Sequence, residues 1–366
     1  MTKKKTVFVA VTNDVSTDQR VHKVCNFLLA KNFKVLVYGR LLPDTFKINR
    51  PYQIRRKKHW FTTNFLFYAE YNIRLFIFLI NKNFDYILSN DLDTLPACFF
   101  ASKFLKSTLV YDSHELFSEG PELQGRIFVQ GFWRKLEDYF LPKIKNSYTV
   151  SNSIAAFYED KYQNKMGVVR NLPILKREKN SKKVQFPTKN KTILYQGVLN
   201  PGRGIKTMIK ALHHLKNIDL VIIGYGKVKN ELTQFVIKEK MKKRVHFLGK
   251  IPYNELPNYT KIADIGMVLE ESFGKSFEFS LPNKLFDYIH AEIPIISGNL
   301  PEITKIIQEY KVGVSVKNPT PKNIAEAVTN LLENKNLRTE IKQHQQKVKK
   351  ILCWEKECKK LDVYFN

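Results

Sequence analysis

The stretch SLPNKLFDYIHAEIPII (280–296) places an Asn, a Lys and an Asp in the first half of an expected short helix. Ser280 can cap that helix, and Pro282 suits its first turn, where a missing N–H costs nothing. Leu285, Phe286 and Ile289 then form a buried stripe, which leaves Asn283, Lys284 and Asp287 on the exposed side. Asn283 and Asp287 are adjacent at i, i+4 spacing. A carboxylate one turn into a helix can accept two hydroxyls of a ribose, while Lys284 and the helix start can face a diphosphate. An ordinary solvated face leaves the Pro-Asn-Lys start without a reason.

Four other stretches carry comparable chemistry. In GVLNPGRGI (197–205) a strand turns through Gly202 and Gly204 into a helix with Arg203 at its start, an arrangement of N–H groups and cation that suits a phosphate. GYGK (224–227), with Gly224 and Gly226, is a similar strand-end loop, although turns use glycine for its backbone freedom alone. YDSHELF (111–117) gathers Asp112, His114 and Glu115 at a strand end, either as a sugar- and phosphate-facing cluster or as a histidine paired structurally with a carboxylate. TNDVSTDQR (12–20) supplies Ser16, Thr17 or Asp18 as a helix cap, and Asn13, Asp18 and Arg20 as a wall for a substrate. DLD (91–93) matches an Asp-x-Asp metal pattern, but Asp93 also reads as a helix cap and no further oxygen ligands stand nearby, so no metal is expected.

The elements that hold these loops alternate. TVFVAV (6–11), KVLVYG (34–39), FDYILSN (84–90) and STLVYDSHE (107–115) read as strands separated by helix-spaced segments, and the pattern restarts at KTILYQGVL (191–199) and IDLVIIGYG (218–226). Such alternation implies parallel sheets covered on both faces, with ligands beyond the carboxyl ends of the strands. The basic, polar segment 176–191 reads as a linker between a first domain (1–175) and a second (192–344). The last helix, about 345–366, is expected to cross back onto the first domain. At 366 residues, 43% hydrophobic and 26% charged, the chain is globular and long enough for two cores. Four cysteines without C-x-x-C spacing argue against a metal or redox site. No run suits a membrane span or a signal peptide, so cytoplasm is the expected compartment.

The net charge of +27 attracts polyanions such as nucleotide phosphates, nucleic acid or an anionic membrane, or it reflects a lysine-rich solvated surface. The basic runs are scattered and none sits in a nucleic-acid motif, so no nucleic acid is expected as a partner. In RRKKHWFTTNFLFYAEYNIRLFIFLI (55–80) cations precede aromatic and apolar residues, and reversible binding to an anionic membrane face is the expectation.

The motifs NDVSTDQRVHK, SNDLDTLPA, LVYDSHELF, VSNSIAAFY, YQGVLNPGRGI, LVIIGYGK, VHFLGKIP and LPNKLFDYIHAEIPII together resemble retaining glycosyltransferases of family four, in that family's order, across residues 6–316. The resemblance implies an α/β fold of two Rossmann-like domains facing a cleft, the GT-B architecture. The first domain would bind the acceptor, with Asn13, Asp18 and Arg20 beside it, and the second the nucleotide-sugar donor. Arg203 would contact the diphosphate, Asp287 would hold the ribose as the second acid of Glu-x7-Glu, and His114 would lie near the transferred sugar. Asn283, Gly202, Gly224, Gly226 and Gly249 (in FLGKIP, against the base) would complete the donor site. The first acid of Glu-x7-Glu falls at Phe279, leaving Glu278 as its displaced substitute; the usual strand-end Arg is Val198, and the usual helix-ending Gly is Glu292.

The implied reaction is transfer of a hexose-like sugar, with retention and without metal or cofactor, to a hydroxyl of a glycan or lipid-linked glycan in cell-surface polysaccharide synthesis. His114, Arg203 and Lys284 would be the catalytic groups. The rivals are a nucleotide-sugar epimerase or phosphorylase on the same plan, and a basic nucleic-acid binder.

Overall fold

The computed structural model describes residues 4–42, 48–120, 123–175, 183–272 and 274–366. The chain forms two compact units, Met1–Asn171 with Glu357–Asn366, and Leu172–Lys356. In the first unit lie β1 (Thr6–Ala10), β2 (Lys34–Arg40), β3 (Gln53–Lys57), β4 (Tyr86–Asn90), β5 (Thr108–Ser113), β6 (Ser147–Thr149) and β7 (Gly167–Val168). They form one parallel sheet in the order β3-β2-β1-β4-β5-β6-β7. Val7, Phe8, Val9 and Ala10 of β1 are all fully buried, as a central strand covered on both faces requires.

The second unit repeats the plan with β8 (Lys191–Gln196), β9 (Ile218–Ile223), β10 (Val245–Gly249), β11 (Ile265–Val268), β12 (Ile295–Ser297) and β13 (Gly313–Ser315). Their order is β10-β9-β8-β11-β12-β13, again all parallel. Each sheet therefore reverses its strand order beside its first strand, at β1/β4 and at β8/β11. Such switch points open a crevice at the carboxyl ends of the strands. The expectation of two Rossmann-like α/β units holds.

Residues 176–182 of the expected linker lie outside the described residues. Leu172, assigned by sequence to the first domain, is fully buried in the core of the second. The tail also differs from expectation. Residues up to Lys356 stay with the second unit, where Gln345 Nε2 donates to the Ile293 carbonyl (2.7 Å) and His290 Nε2 contacts that of Leu352 (2.7 Å). Only the last ten or so residues return to the first unit, where the Phe365 ring meets those of Phe33 and Tyr86.

The helix Asn283–Ala291 is locked to β8 and β11 through Tyr288. Its hydroxyl donates to the Leu194 carbonyl and accepts from the Gln196 N–H, both at 3.1 Å. Its ring lies over Gly266, where a Cβ would stand 2.4 Å from a ring carbon. Three expectations about this helix need correction. Pro282, in extended conformation, precedes the helix rather than opening its first turn. Ser280 does not cap it; its hydroxyl is buried without a hydrogen bond among the described residues. Lys284 is buried, not on the exposed side. The helix ends at Glu292, whose φ of 59° is the left-handed conformation that a glycine normally takes. Its carboxylate receives Lys349 Nζ and Gln346 Nε2 (2.9 Å), which offsets the strain.

Gly266→Ala is expected to destabilise the protein by about 1–3 kcal/mol, because the ring of Tyr288 cannot yield without breaking its two backbone hydrogen bonds. Chemical denaturation checks this: an unchanged midpoint would show that the ring is not fixed there.

Candidate functional site

In the second unit the polar groups converge just beyond β8 and β11. Glu270, two residues past β11, is 3% exposed. Its Oε1 accepts from Lys284 Nζ at 2.5 Å, and Arg203 Nη1 lies 3.5 Å from the same oxygen. Its Oε2 is buried with no hydrogen-bond partner among the described residues. Burial lowers the pKa of Lys284 from the usual lysine value, and Glu270 opposes that shift. The ammonium also lies 4.1 Å from the centre of the Tyr195 ring, and the Arg203 guanidinium 4.6 Å from that of Phe277. Arg203 is a quarter exposed and so offers one face outward.

Asp287 sits one turn along from Asn283. Its Oδ2 accepts from Gln196 Nε2 (2.9 Å), whose Oε1 in turn accepts from Thr260 Oγ1 (2.7 Å). This relay fixes the amide orientation of Gln196 and aims the carboxylate. Asn283 is exposed beside it.

The glycines of this region serve close backbone approach. At Gly224 (φ 148°) a Cβ would stand 1.8 Å from the Gly197 carbonyl oxygen, and at Gly204 (φ 66°) 2.2 Å from that of Leu269. Gly224 N–H donates to the Gly249 carbonyl (2.8 Å) and Glu271 N–H to that of Gly202 (2.9 Å). Gly226 stands equally close to Leu199. The loops after β8, β9 and β11 are thus knitted to one another through their backbones. The helix expected after Arg203 is short, Ile205–Ala211, and its dipole is correspondingly small. Glu278 is half-buried, in the short helix Lys275–Glu278, and among the described residues the acid that pairs with Arg203 and Lys284 is Glu270 instead. The acid that touches those cations is Glu270, which sequence reasoning passed over, although its place directly after the apolar run IGMVL was a signal.

In the first unit the corresponding cluster lies beyond β4 and β5. The His114 ring stands between two carboxylates, Nδ1 3.2 Å from Asp91 Oδ2 and Nε2 3.3 Å from Asp112 Oδ2. Asp91, in left-handed conformation, also accepts from the His114 N–H (2.8 Å). Burial alone would lower the His114 pKa, but the two carboxylates raise it to about 9. Burial alone would raise Asp112; Arg20 and His114 hold it down at about 2. Asp93 is pushed up to about 8 by burial and by the charge of Asp91, and accepts from Thr12 Oγ1 at 2.5 Å.

One expected acceptor contact turns out otherwise. Arg20 is 4% exposed; its Nε and Nη2 grip Asp112 (2.9 and 2.7 Å) and its Nη1 donates to the Val169 carbonyl (2.9 Å). It positions Asp112 and is not a wall residue. Asp18 caps the helix Gln19–Ala30 by accepting from the Val21 N–H at 3.0 Å. Asn13 remains exposed at the end of β1.

Residues 176–348 match the family model of glycosyl transferases group 1. That match covers most of the second unit. An uncharacterised glycosyltransferase of Methanocaldococcus jannaschii, MJ1069, is 23% identical over 296 residues, which are 72% of this chain and 70% of that protein. Among solved structures, sucrose-phosphate synthase from Thermosynechococcus elongatus matches with a TM-score of 0.82 at 14% identity, covering 99% of this chain and 98% of the other. Anabaena Alr3699/HepE, solved in complex with UDP-glucose, matches with a TM-score of 0.72 at 14% identity, covering 98% of each chain. These likenesses extend over both units and identify the fold as GT-B. In the second unit, Lys284, Arg203 and Asp287 lie at the switch point where this fold opens its crevice.

His114 is expected to be an imidazolium at neutral pH and to lose its proton around pH 9. Its folded pKa lies above the ordinary 6.5, so the stability it contributes is full below that value and lost as pH rises through about 9. Proton NMR of the ring checks this, and Asp112→Asn must move the titration downward. A His114 that titrates near 6.5 in the intact protein contradicts the double-carboxylate geometry.

Proposed function

We propose that the protein transfers a hexose-like sugar from a nucleotide-sugar to a hydroxyl of a glycan or lipid-linked glycan, with retention of the anomeric configuration and without a metal. The observation that carries this reading is that Lys284 and Arg203 converge on Glu270 beyond β11 while Gln196 at the end of β8 holds Asp287, all beside one switch point. The two cations neutralise the diphosphate, and Asp287 with Asn283 receives the ribose hydroxyls. FLGKIP (247–252), with Gly249 in open space, leaves room for the base.

The sequence offers no obvious protein nucleophile for the anomeric carbon. The leaving diphosphate therefore takes the acceptor proton on the same face, and catalysis consists of positioning and charge stabilisation. His114, held as a cation between Asp91 and Asp112, contributes positive charge on the sugar's side and is not a base. Asn13, exposed at the end of β1, belongs to the acceptor side. Synthesis of a cell-surface polysaccharide on the cytoplasmic side is the role that fits these partners. An epimerase or phosphorylase is separated by its products: nucleoside diphosphate must appear only when a hydroxyl acceptor is supplied.

Asp287→Ala is expected to weaken binding of the preferred nucleoside diphosphate tenfold to a hundredfold, about 1.5–3 kcal/mol, whereas Asp287→Glu largely retains it. Calorimetry with a panel of nucleoside diphosphates measures this, and equal affinity in the Ala variant removes Asp287 from the site.

Turnover is expected to survive EDTA. Loss of activity that manganese or magnesium restores would instead give Asp91 and Asp93 a metal to hold.

A further inference from the structure

The first unit exposes aromatic and aliphatic side chains in a way that its own packing does not need. Trp60 is 84% exposed, Phe65 61%, Ile127 79% and Phe128 94%. Scattered single apolar residues on a surface are ordinary, but contiguous ones mark a contact site. Phe132 links two of the segments that carry them: Phe65, in the first turn of the helix Asn64–Ile80, packs its ring 5.5 Å from that of Phe132 in the helix Ile127–Phe140, whose first turn carries Ile127 and Phe128.

The loop that presents Trp60 is built, not slack. Glu70, 8% exposed, accepts from the Trp60 N–H (2.9 Å), the Phe61 N–H (3.0 Å) and Arg74 Nη1 (2.6 Å). Although burial alone would raise it, those donors hold the Glu70 carboxyl down at about 2. The Arg74 guanidinium lies 5.4 Å from the Trp60 ring. A buried ionised carboxylate thus fixes the backbone beneath an indole that touches mainly water, where an unconstrained loop would fold its indole inward.

The location is also specific. The helix Asn64–Ile80 follows β3 and the helix Ile127–Phe140 follows β5, so the apolar tips sit at the carboxyl edge of the sheet. Asp91, Asp112 and His114 lie at that same edge. The strand and loop leading to Trp60 carry Arg55, Arg56, Lys57 and Lys58, and Arg126 precedes Ile127.

We propose that this rim docks on an anionic lipid bilayer, with Trp60, Phe65, Ile127 and Phe128 entering the headgroup–acyl boundary and the flanking cations meeting lipid phosphates. The membrane binding expected from the sequence placed the cations first; the structure adds exposed apolar tips on one loop and at the starts of two helices. Charge decides the occupant. A second copy would bring the same cations face to face, in a chain of net charge +27. A nucleic acid would answer the cations but leave aliphatic tips such as Ile127 unburied. A bilayer satisfies both, and indole and phenyl groups favour that boundary. Among the described residues no helix is long and apolar enough to cross a membrane, so the contact is peripheral and reversible. The inference does not depend on the proposed reaction.

The three tryptophans make the test direct, because Trp133 and Trp354 are only 5% and 6% exposed. Vesicles of phosphatidylglycerol with phosphatidylcholine should sediment the full-length protein and shift its emission to the blue, with both effects weakening as salt rises. Trp60→Phe should abolish the shift while binding persists. Phe128→Glu, at a position too exposed to affect folding, should weaken binding about tenfold or more. Equal recovery with phosphatidylcholine alone, or binding of the unsubstituted protein with no emission shift, overturns the proposal. So does lipid-independent self-association that Phe128→Glu abolishes, which assigns the rim to a second copy. Emission that shifts with oligonucleotide and not with vesicles assigns it to nucleic acid.

Discussion

A carboxylate cut off from water must be met by cations, and in the second unit that requirement falls on Glu270. It is desolvated at the end of β11, so it draws Lys284 from one element and Arg203 from another onto a single oxygen. Removing either partner would leave a buried charge partly unmatched, a change that typically destabilises by several kcal/mol. The pairing also leaves the site a net cation instead of a double one. On the proposed reading, a diphosphate arriving there would meet two donors that are already oriented, at little cost in reorganisation. The knitted glycine loops serve the same end, since backbone contact at Gly204 and Gly224 leaves no slack in the strand ends that carry these residues.

The first unit solves the same problem with opposite emphasis. Asp112 is fully buried and takes Arg20 on one side and His114 on the other, with Asp91 completing the clamp. Here the carboxylates outnumber the one partly accessible cation, and the outcome is a histidine fixed in its charged form. Two copies of one fold thus present a positively charged group beyond a switch point by different means: in one a lysine whose pKa burial lowers, in the other a histidine whose pKa its neighbours raise.

Much of this could be read in the chain. The alternation of apolar strands with helix-spaced segments specified two parallel sheets, because strands such as TVFVA and IDLVII have no polar face to offer water. Asp287, Arg203 and His114 stood out by their places: one turn into a helix, at a helix start after a glycine-rich turn, and among carboxylates at a strand end. What escaped was partnership across the fold. Arg20 looked like a wall residue because its partner, Asp112, is remote in sequence. Glu270 looked like one acid in a polar loop because Lys284 comes to it from another element. Lys284 was assigned to an exposed face by helical spacing, which does not register how deeply a helix of nine residues can sink when Tyr288 ties it to β8. Ser280 and Pro282 followed the usual rules for helix starts, and the fold placed the start after both, at Asn283.

The edge strand β3 has a bearing on how this protein avoids sticking to itself. A parallel sheet ends in a row of unpaired N–H and C=O groups, a template for any extended chain that comes near. In β3 the sequence QIRRK leaves no residue fully buried and sets Arg55, Arg56 and Lys57 in succession along that margin. A second β3 approaching edge to edge would have to bring like charges into register, which opposes strand addition before hydrogen bonds can form. The cations beside the aromatic rim therefore double as guardians of colloidal solubility, in a chain whose helices already display more phenyl rings than a water-facing surface needs.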